Sequence, residues 1–195
     1  MALLRTSCPW DAEQTHLSLA PYLVEETGEV LDAIEAGTDV DLCEELGDLL
    51  LQVVFHAEIA RREGRFDIDD VAAGIADKLV RRHPYVFADA EVPSDLLSAW
   101  EARKRAEKGR TSSLDGIADQ LSALARASKV VARARHHGVP VDLADEPITA
   151  DEVGSQIVRL VSRAQASGVD ADQAVRDVVR QLEAGIRQAE APASR

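Results

Sequence analysis

The fold is decided by the stretch LVEETGEVLDAIEAGTDVDLCEELGDLLLQVVF, residues 23–55. Pro21 suits the first turn of a helix and Gly37 suits its end, so the pattern predicts one helix over residues 21–36. Several carboxylates of this stretch lie within strongly apolar helical patterns, among them Glu25, Glu26, Glu29, Asp32, Glu44, Glu45 and Asp48. Because acids normally stay in water, their presence here calls for a chemical reason.

A second helix follows, for which Asp39 or Asp41 can provide the N-terminal cap. It is predicted to run to about Gly64. Its apolar side chains recur with helical spacing, and they are Leu42, Leu46, Leu49, Leu50, Val53 and Val54. Since Leu51 and Phe55 widen this surface to most of the circumference, we expect the helix to be buried on nearly all sides.

The acidic residues of the two helices are spaced as pairs. Glu26 and Glu29 share one helix face, and Glu45 and Asp48 repeat the spacing on the next helix. The short turn between the helices predicts antiparallel packing, which brings the pairs face to face. Four close carboxylates repel one another unless cations lie between them, and oxygen-only ligands select Mg²⁺, with Mn²⁺ as a substitute. The alternative is that these acids are simply solvated.

Cations that suit a phosphate chain come later in the sequence. Lys78, Arg81 and Arg82 lie on adjacent turns of a third predicted helix, and Trp100 and Lys104 are four residues apart on a fourth. Lysine and arginine are also common at helix C-termini, and a tryptophan more often packs in a core, so this cluster alone is a weak signal.

The remaining sequence predicts further helices and no strand. The third helix begins near residues 67–70 and ends before Pro84, and the later ones cover about 94–108, 119–137, 149–167 and 170–190. The segment KGRTSS is the best candidate for a linker. We therefore predict a catalytic region at 1–108, a linker at 109–118 and a helical C-terminal region at 119–195.

A faint internal repeat relates the two halves. Residues 44–64 resemble residues 151–168, and 71–82 resemble 174–185. In this register Ser155 takes the place of Asp48, and no second acidic helix pair precedes it. The C-terminal region is therefore predicted to be a degenerate copy, with chance similarity of helical stretches as the alternative.

Composition limits the classes of partner. The chain has 195 residues and a formal net charge of -13 at pH 7, which argues against nucleic acid and anionic membranes as partners because both bind clustered cations. No apolar run approaches the length of a membrane span, and we expect no signal peptide. Cys8 and Cys43 lack metal-ligand spacing and fit free thiols in the cytoplasm.

These motifs resemble the MazG family of nucleoside triphosphate pyrophosphohydrolases. The resembling segments are CPWDAEQTH (8–16), EETGEVLDAI (25–34), EELGDLLLQVVFHA (44–57), DKLVRRHPYVF (77–87) and WEARK (100–104). Together they cover nearly all of residues 8–108. The Glu-Glu-x-x-Glu motif followed by Glu-x-x-Asp is the signature of the family, and its order with the other segments makes the resemblance specific.

The resemblance implies an all-α, MazG-like helical bundle, in which a four-helix active-site bundle is completed by a homodimer. It also implies Mg²⁺-dependent hydrolysis of NTPs or dNTPs, non-canonical or oxidised ones included, to a nucleoside monophosphate and pyrophosphate. The implied metal ligands are Glu26, Glu29, Glu45 and Asp48. The implied substrate-binding residues are Lys78, Arg81, Arg82, Trp100 and Lys104, and Glu25 would orient a water or a second metal.

This sequence departs from longer relatives with two full MazG units, because its second unit lacks the acidic helix pair. Three other interpretations stay open: a nucleotide-binding module without catalysis, a structural helical dimer with solvated acids, and a narrower all-α pyrophosphatase. The last would act on a modified deoxynucleotide or on phosphoribosyl-ATP. The Cys-Pro-Trp-Asp and Arg-Arg-His-Pro segments favour MazG over such relatives.

Overall fold

A computed structural model describes residues 1–109 and 111–191 of the chain. Across those residues it contains ten α-helices and no β-strand, which confirms the all-α prediction. In chain order the helices are α1 (Leu4–Ser7), α2 (Pro9–Glu13), α3 (Ala20–Ala36), α4 (Asp39–Arg62), α5 (Ile68–Arg82), α6 (Pro84–Phe87), α7 (Leu96–Lys108), α8 (Ala123–His136), α9 (Ala150–Ala166) and α10 (Ala171–Glu190). Within these ranges no helix is both long and apolar enough to cross a membrane.

The longer helices begin and end close to the predicted residues because their ends carry strong local signals. Pro21 lies in the first turn of α3. At the start of α4, Thr38 and Asp41 form a capping box, in which the Thr38 amide donates to the Asp41 carboxylate at 2.7 Å. Helices α1, α2 and α6 were not predicted, since four or five residues are too few to show a hydrophobic period.

The chain divides into two compact units, Met1–Val92 and Pro93–Arg195. In the first unit, α3 and α4 are joined by a tight turn and pack as an antiparallel pair. The direction follows from a side-chain contact, because Gln52 in the second half of α4 donates to Glu26 in the first half of α3 at 3.3 Å. The predicted antiparallel packing is therefore confirmed.

The N-terminal residues pack against the C-terminal half of α4. Leu19, Phe55 and Ile59 form the small buried core at this place. The side chain of Arg62 donates to the backbone carbonyl of Arg5 at 3.2 Å, and the Arg5 guanidinium lies 5.6 Å from the centre of the Phe55 ring. These contacts tie α1 to the end of α4 and hold that end in place.

A buried ion pair also stabilises the last turns of α4. Only 7% of the Glu58 surface is exposed, and its carboxylate accepts hydrogen bonds from Arg61 at 2.7 Å and from Arg62 at 2.9 Å. Hydrogen bonds from Arg61 and then Arg62 lower the pKa of Glu58 to about 2, against the desolvation that burial imposes. The carboxylate is therefore charged at neutral pH.

The prediction that the second helix is buried on nearly all sides was wrong. In the single chain, Leu46 is 49% exposed and Leu50 is 59% exposed, and Leu51 and Val53 are exposed as well. Side chains of α4 become fully buried only from Gln52 onward, where α3 and the N-terminal residues cover them. Helical spacing identified an apolar surface correctly but could not show what covers it.

The second unit has its own core around α8 and α10. The buried members of this core are Leu114, Val130, Ala134, Val179 and Ile186. At its edge, the Arg126 guanidinium on α8 donates to Glu183 on α10 at 2.8 Å, with both side chains largely shielded from solvent. Helix α9 packs on α10 and has no buried residue of its own.

The segment predicted as a linker packs within the second unit. Leu114 is only 4% exposed, and Ser112 and Ser113 both donate to the Glu190 carboxylate, at 2.5 and 2.8 Å. Helix α7 also groups with this unit, so the contacts divide the chain at residue 92 rather than at 108. At this place Leu114 is buried in the core, and the Ser112 hydroxyl and the Ser113 amide both donate to Glu190. The functional division at 1–108 stays a prediction.

The hairpins α4–α5 and α9–α10 turn in the same way. Each first helix ends before a glycine with positive φ, Gly64 at 68° and Gly168 at 69°. The amide after each glycine then donates back into the helix, at 3.0 and 2.9 Å, which is the Schellman arrangement. Asp67 and Asp170 cap the helices that follow. Glycine is favoured at both turns because other residues adopt positive φ at a cost.

Candidate active site

Three carboxylates predicted as metal ligands come together between α3 and α4. Glu26 and Glu29 lie one helical turn apart on α3, and Glu45 faces them from α4. One carboxylate oxygen from each residue lies within 4.8 Å of the others. Glu26 and Glu45 are half-buried, and Glu29 is exposed. The antiparallel pair therefore produces the acidic cluster that the spacing indicated.

Two further acidic residues adjoin this cluster without belonging to it. Asp48 is half-buried, and its negative charge helps to raise the pKa of Glu45, although its oxygens fall outside the group of three. Glu25 is exposed, and its charge acts in the same way on Glu29. Their predicted roles, as a fourth ligand and as a residue orienting water, stay predictions.

The carboxylates of the cluster oppose one another's ionisation. Loss of hydration raises the pKa of Glu29, and the charges of Glu45 and Glu26 add to the effect. The pKa of Glu45 is raised by loss of hydration and then by the charge of Asp48. A bound cation would remove this repulsion, because it attracts every carboxylate at once.

The donor set fits a hard divalent cation. Within the residues that the structure describes, the cluster offers carboxylate oxygens and no imidazole or thiol, which suits Mg²⁺ or Mn²⁺ better than Zn²⁺. A surface cavity of about 330 Å³ opens beside Glu29 and Glu45, and Asp32 and Asp41 also line it. An anionic ligand could enter such an acidic cavity only together with a cation.

The basic residues predicted to contact phosphate on α5 differ in exposure. Lys78 is half-buried, Arg81 is exposed and Arg82 is only 5% exposed. They lie in the last two turns of α5, within the same unit as the carboxylates. Arg82 is thus positioned by the protein interior to an extent that its sequence position did not indicate.

Trp100 and Lys104 contact each other on α7. The ammonium group of Lys104 lies 6.0 Å from the centre of the Trp100 ring. Both residues lie in the second unit, and their role towards a substrate stays a prediction. Trp10 packs edge-on against Tyr22 and Phe55, with ring centres 5.9 and 6.4 Å away, so its role in the described residues is one of packing.

Sequence reasoning missed a pair of stacked histidines. The Nδ1 atoms of His16 and His56 are 2.7 Å apart, and the rings lie 5.0 Å apart at an angle of 7°. Arg65 donates to Nε2 of His16 at 2.6 Å, so the proton of a neutral His16 is on Nδ1 and is donated to His56. No sequence signal links His16 to His56, because 40 residues separate them.

Gln52 was also missed, although helical spacing could have identified it. It lies four residues after Asp48, on the same face of α4. Its amide donates to Glu26 of the acidic cluster. A glutamine inside an otherwise aliphatic stretch is the signal that would have directed attention to this position.

Comparison with known proteins agrees with the site. Residues 14–87 match the family model of the MazG nucleotide pyrophosphohydrolase domain. The nucleoside triphosphate pyrophosphohydrolase of Escherichia coli (strain K12) is 48% identical over 168 residues, which cover 84% of this chain and 63% of that protein. A 26.1 kDa protein of Streptomyces cacaoi is 44% identical over 195 residues, covering 97% of this chain and 79% of that protein.

A third relative matches over the first part of the chain. The nucleoside triphosphate pyrophosphohydrolase/pyrophosphatase MazG of Thermotoga maritima is 52% identical over 106 residues, covering 54% of this chain and 41% of that protein. The helical fold and the carboxylate cluster define an all-α protein with the donor set of a divalent-cation site. With these matches, the chain belongs to the MazG family. It spans 63% of the length of the Escherichia coli relative.

Proposed function

We propose that this protein hydrolyses nucleoside triphosphates to a nucleoside monophosphate and pyrophosphate, with Mg²⁺ as the cofactor and Mn²⁺ as a substitute. The observation that carries the proposal is the meeting of Glu26, Glu29 and Glu45 within 4.8 Å beside an open acidic cavity. Membership in the MazG family and the names of its relatives support the same activity.

The carboxylates would hold the cation, with Asp48 as the fourth ligand. When bound, Mg²⁺ supplies charge neutralisation of the triphosphate and acidification of a water. The chain's own task is then to place substrate and water, because phosphoryl transfer needs mainly positioning and electrostatic stabilisation. Glu25 precedes Glu26 in the sequence, and its charge acts on Glu29. It would orient that water.

The cationic residues would contact the phosphates. On α5 these are Lys78, Arg81 and Arg82, of which the buried Arg82 has the most restricted side chain. On α7 the cationic residue is Lys104, and the aromatic Trp100 in contact with it would join it at the substrate. Arginine and lysine are suited to this role because they pair with phosphate oxygens through charge-assisted hydrogen bonds.

We also propose that the protein acts as a homodimer in the cytoplasm. The exposed leucines of α4, Leu46 and Leu50, leave an aliphatic surface of the kind that a second chain covers. Cys8 and Cys43 are free thiols, as a reducing compartment favours. The negative charge of the chain disfavours nucleic acid and anionic membranes as partners.

Product analysis tests the proposed activity. The full chain is incubated with canonical and oxidised NTPs and dNTPs, with Mg²⁺ or with a chelator, and products are separated chromatographically. We expect a nucleoside monophosphate and pyrophosphate only when Mg²⁺ is present. The variant Glu45→Gln should lose this turnover, whereas Glu35→Gln, an exposed acid on α3, should retain it.

The same assay, together with measurements of nucleotide binding and thermal unfolding, separates the other interpretations. Mg²⁺-dependent nucleotide binding without products would indicate a binding module, and a thermal unfolding curve insensitive to Mg²⁺ and nucleotide would indicate a structural dimer. Turnover confined to one modified deoxynucleotide or to phosphoribosyl-ATP would indicate a narrower pyrophosphatase. Orthophosphate as the first product would contradict the proposed reaction.

A further inference from the structure

Gln52 is a buried polar residue in contact with the acidic cluster. Only 5% of its surface is exposed, and it lies on the face of α4 that carries Glu45 and Asp48. Its Nε2 atom is 3.3 Å from Oε1 of Glu26, one of the three clustered carboxylates. The residue is therefore part of the surroundings of the site rather than of the aliphatic core.

The contact with Glu26 fixes the orientation of the amide. An ionised carboxylate only accepts hydrogen bonds, so the NH₂ group of Gln52 must face it. The reverse orientation would place the amide oxygen against the carboxylate and would be repulsive.

Oε1 of Gln52 has no hydrogen-bond partner among the residues that the structure describes, and solvent does not reach it. Buried polar atoms are nearly always satisfied, so this oxygen is a cost of keeping a glutamine at the position. An aliphatic side chain would avoid that cost, and it would lose the contact of the NH₂ group with Glu26. This observation is independent of the clustering of the acids.

We propose that Gln52 is a positioning residue of the metal site, an inference that rests on the proposed Mg²⁺-dependent function. Its NH₂ group donates to the Glu26 carboxylate and so holds that carboxylate in the position from which it would bind the ion. Partners of this kind typically change metal affinity by roughly 10- to 100-fold.

Calorimetric titration of the full chain with MgCl₂, without nucleotide, tests this role. Gln52→Met preserves length and volume and removes both hydrogen-bonding atoms. We expect its Kd for Mg²⁺ to rise by about 10-fold. The melting temperature of the metal-free variant should be unchanged or higher, because an unsatisfied buried oxygen is removed. Gln52→Leu provides a second measurement if the methionine variant folds poorly.

Gln14 offers a matched control in the same unit. It is half-buried, its amide donates to the Trp10 carbonyl at 2.9 Å, and its Oε1 accepts from Ser18 at 2.7 Å. Gln14→Met should therefore lower the melting temperature and leave the Mg²⁺ affinity unchanged. A merely structural Gln52 would behave like Gln14 in both measurements.

The outcomes separate this inference from the proposed function. If the wild-type chain binds Mg²⁺ and a folded Gln52→Met or Gln52→Leu variant binds it equally well, the positioning role is wrong while the proposed function stands. If the wild-type chain binds no Mg²⁺ and yields no pyrophosphate from any nucleotide, both are wrong. Weaker Mg²⁺ binding by a Gln52 variant of undiminished melting temperature supports the inference.

Discussion

The hairpins α4–α5 and α9–α10 have the same ends and different interiors. Both first helices start with a threonine capping box and end at a glycine of positive φ. Between these ends, α4 carries Glu45, Asp48 and buried Gln52. At the place of Asp48, α9 has Ser155, whose hydroxyl donates back to the Asp151 carbonyl at 2.7 Å.

This difference teaches that the hairpin and its chemistry are encoded by separate residues. Caps and the left-handed glycine determine where each helix starts, stops and turns, whatever the residues between them. The carboxylates of Glu45 and Asp48 oppose each other's ionisation and take no part in those caps and turns. A second unit could thus lose them and keep its fold, as the interpretation of a degenerate copy requires.

The largest expected effect is a loss of turnover when Asp48 of α4 is replaced by serine, the residue at the corresponding place in α9. Asp48→Ser should lower Mg²⁺-dependent pyrophosphate release by at least about 100-fold, equal to about 2.7 kcal/mol of transition-state stabilisation. The reason is the loss of a negatively charged residue beside Glu45. Steady-state turnover of a good nucleotide substrate, measured at saturating Mg²⁺, gives the value.

The reciprocal change is the control for Asp48→Ser. Ser155→Asp should leave turnover unchanged, because α9 has no acidic partner helix of the kind that α3 provides for α4. Turnover of Asp48→Ser within a few-fold of the wild type would show that the interiors of the two hairpins do not differ in the proposed way.

The next effect concerns the buried ion pair that ends α4. Glu58→Gln should lower the free energy of unfolding by about 2 kcal/mol at pH 7, because it removes a charge paired with Arg61 and Arg62. The pKa of Glu58 falls from its ordinary value of 4.5 to about 2 in the folded state. Its contribution is thus complete above pH 4.5 and is lost as the pH falls towards 2. Urea unfolding across this range measures it.

An exposed ion pair of the second unit is the matched control for Glu58. Asp177 on α10 pairs with Arg180, and both side chains are more than half exposed. Asp177→Asn should change stability by less than about 0.5 kcal/mol. A Glu58→Gln variant that also lies within this limit, or whose deficit persists unchanged at pH 2, would contradict the assigned role of the buried carboxylate.

The shared turns predict equal effects in the two hairpins. Gly64→Ala and Gly168→Ala should each lower the free energy of unfolding by about 1 kcal/mol, because alanine adopts positive φ at a cost. Among the residues that the structure describes, and apart from the two adjoining ones, none comes within 4 Å of the added carbon at either position, so the cost is conformational. Urea unfolding of both variants gives the comparison.

Replacing a glycine inside a helix by alanine should change stability in the opposite direction. Gly154 lies within α9 with open space around it, and Gly154→Ala should raise stability by up to about 1 kcal/mol. If the losses of unfolding free energy in Gly64→Ala and Gly168→Ala differed by more than about 1 kcal/mol, the two turns would not be equivalent.

The smallest expected effect is on the pH dependence of stability, and it concerns the stacked histidines His16 and His56. In the register of the repeat, the second hairpin has Arg163 at the place of His56. Burial and then the charge of His16 lower the pKa of His56 below its usual value of 6.5. The unfolded chain therefore binds the proton more readily, so stability present above pH 6.5 is lost as the pH falls through the lowered pKa.

His56→Gln should remove part of this pH dependence, by less than about 1 kcal/mol between pH 7.5 and pH 5.5. Chemical denaturation at several pH values measures the slope. His136→Gln, in the second unit, should leave the slope of the wild type intact. Parallel curves for His56→Gln and the wild type would show that the His16–His56 contact does not control it.

The sequence was sufficient for the parts of the fold that depend on local signals. Helix ends followed from residues such as Pro21 and Gly37, which act on their own neighbours. The cluster of Glu26, Glu29 and Glu45 followed from helical spacing and one short turn, so antiparallel packing was the single tertiary assumption required.

What escaped prediction depends on which surfaces meet. The exposure of Leu46 and Leu50 could not be inferred, because an apolar stripe indicates burial without naming the partner. The contact of His16 with His56 joins residues with no local relation. The burial of Arg82 is of the same kind, since nothing in an amphipathic helix distinguishes one arginine near its end from the next.

The contact of Ser112 and Ser113 with Glu190 has a consequence for amide hydrogen exchange. These bonds fasten the segment between α7 and α8 to the last turn of α10, and Leu114 enters the core beside them. The amide of Ser113 lies outside any helix, and its bond to the Glu190 carboxylate should slow its exchange. This segment and the end of α10 should therefore open and close as one cooperative element.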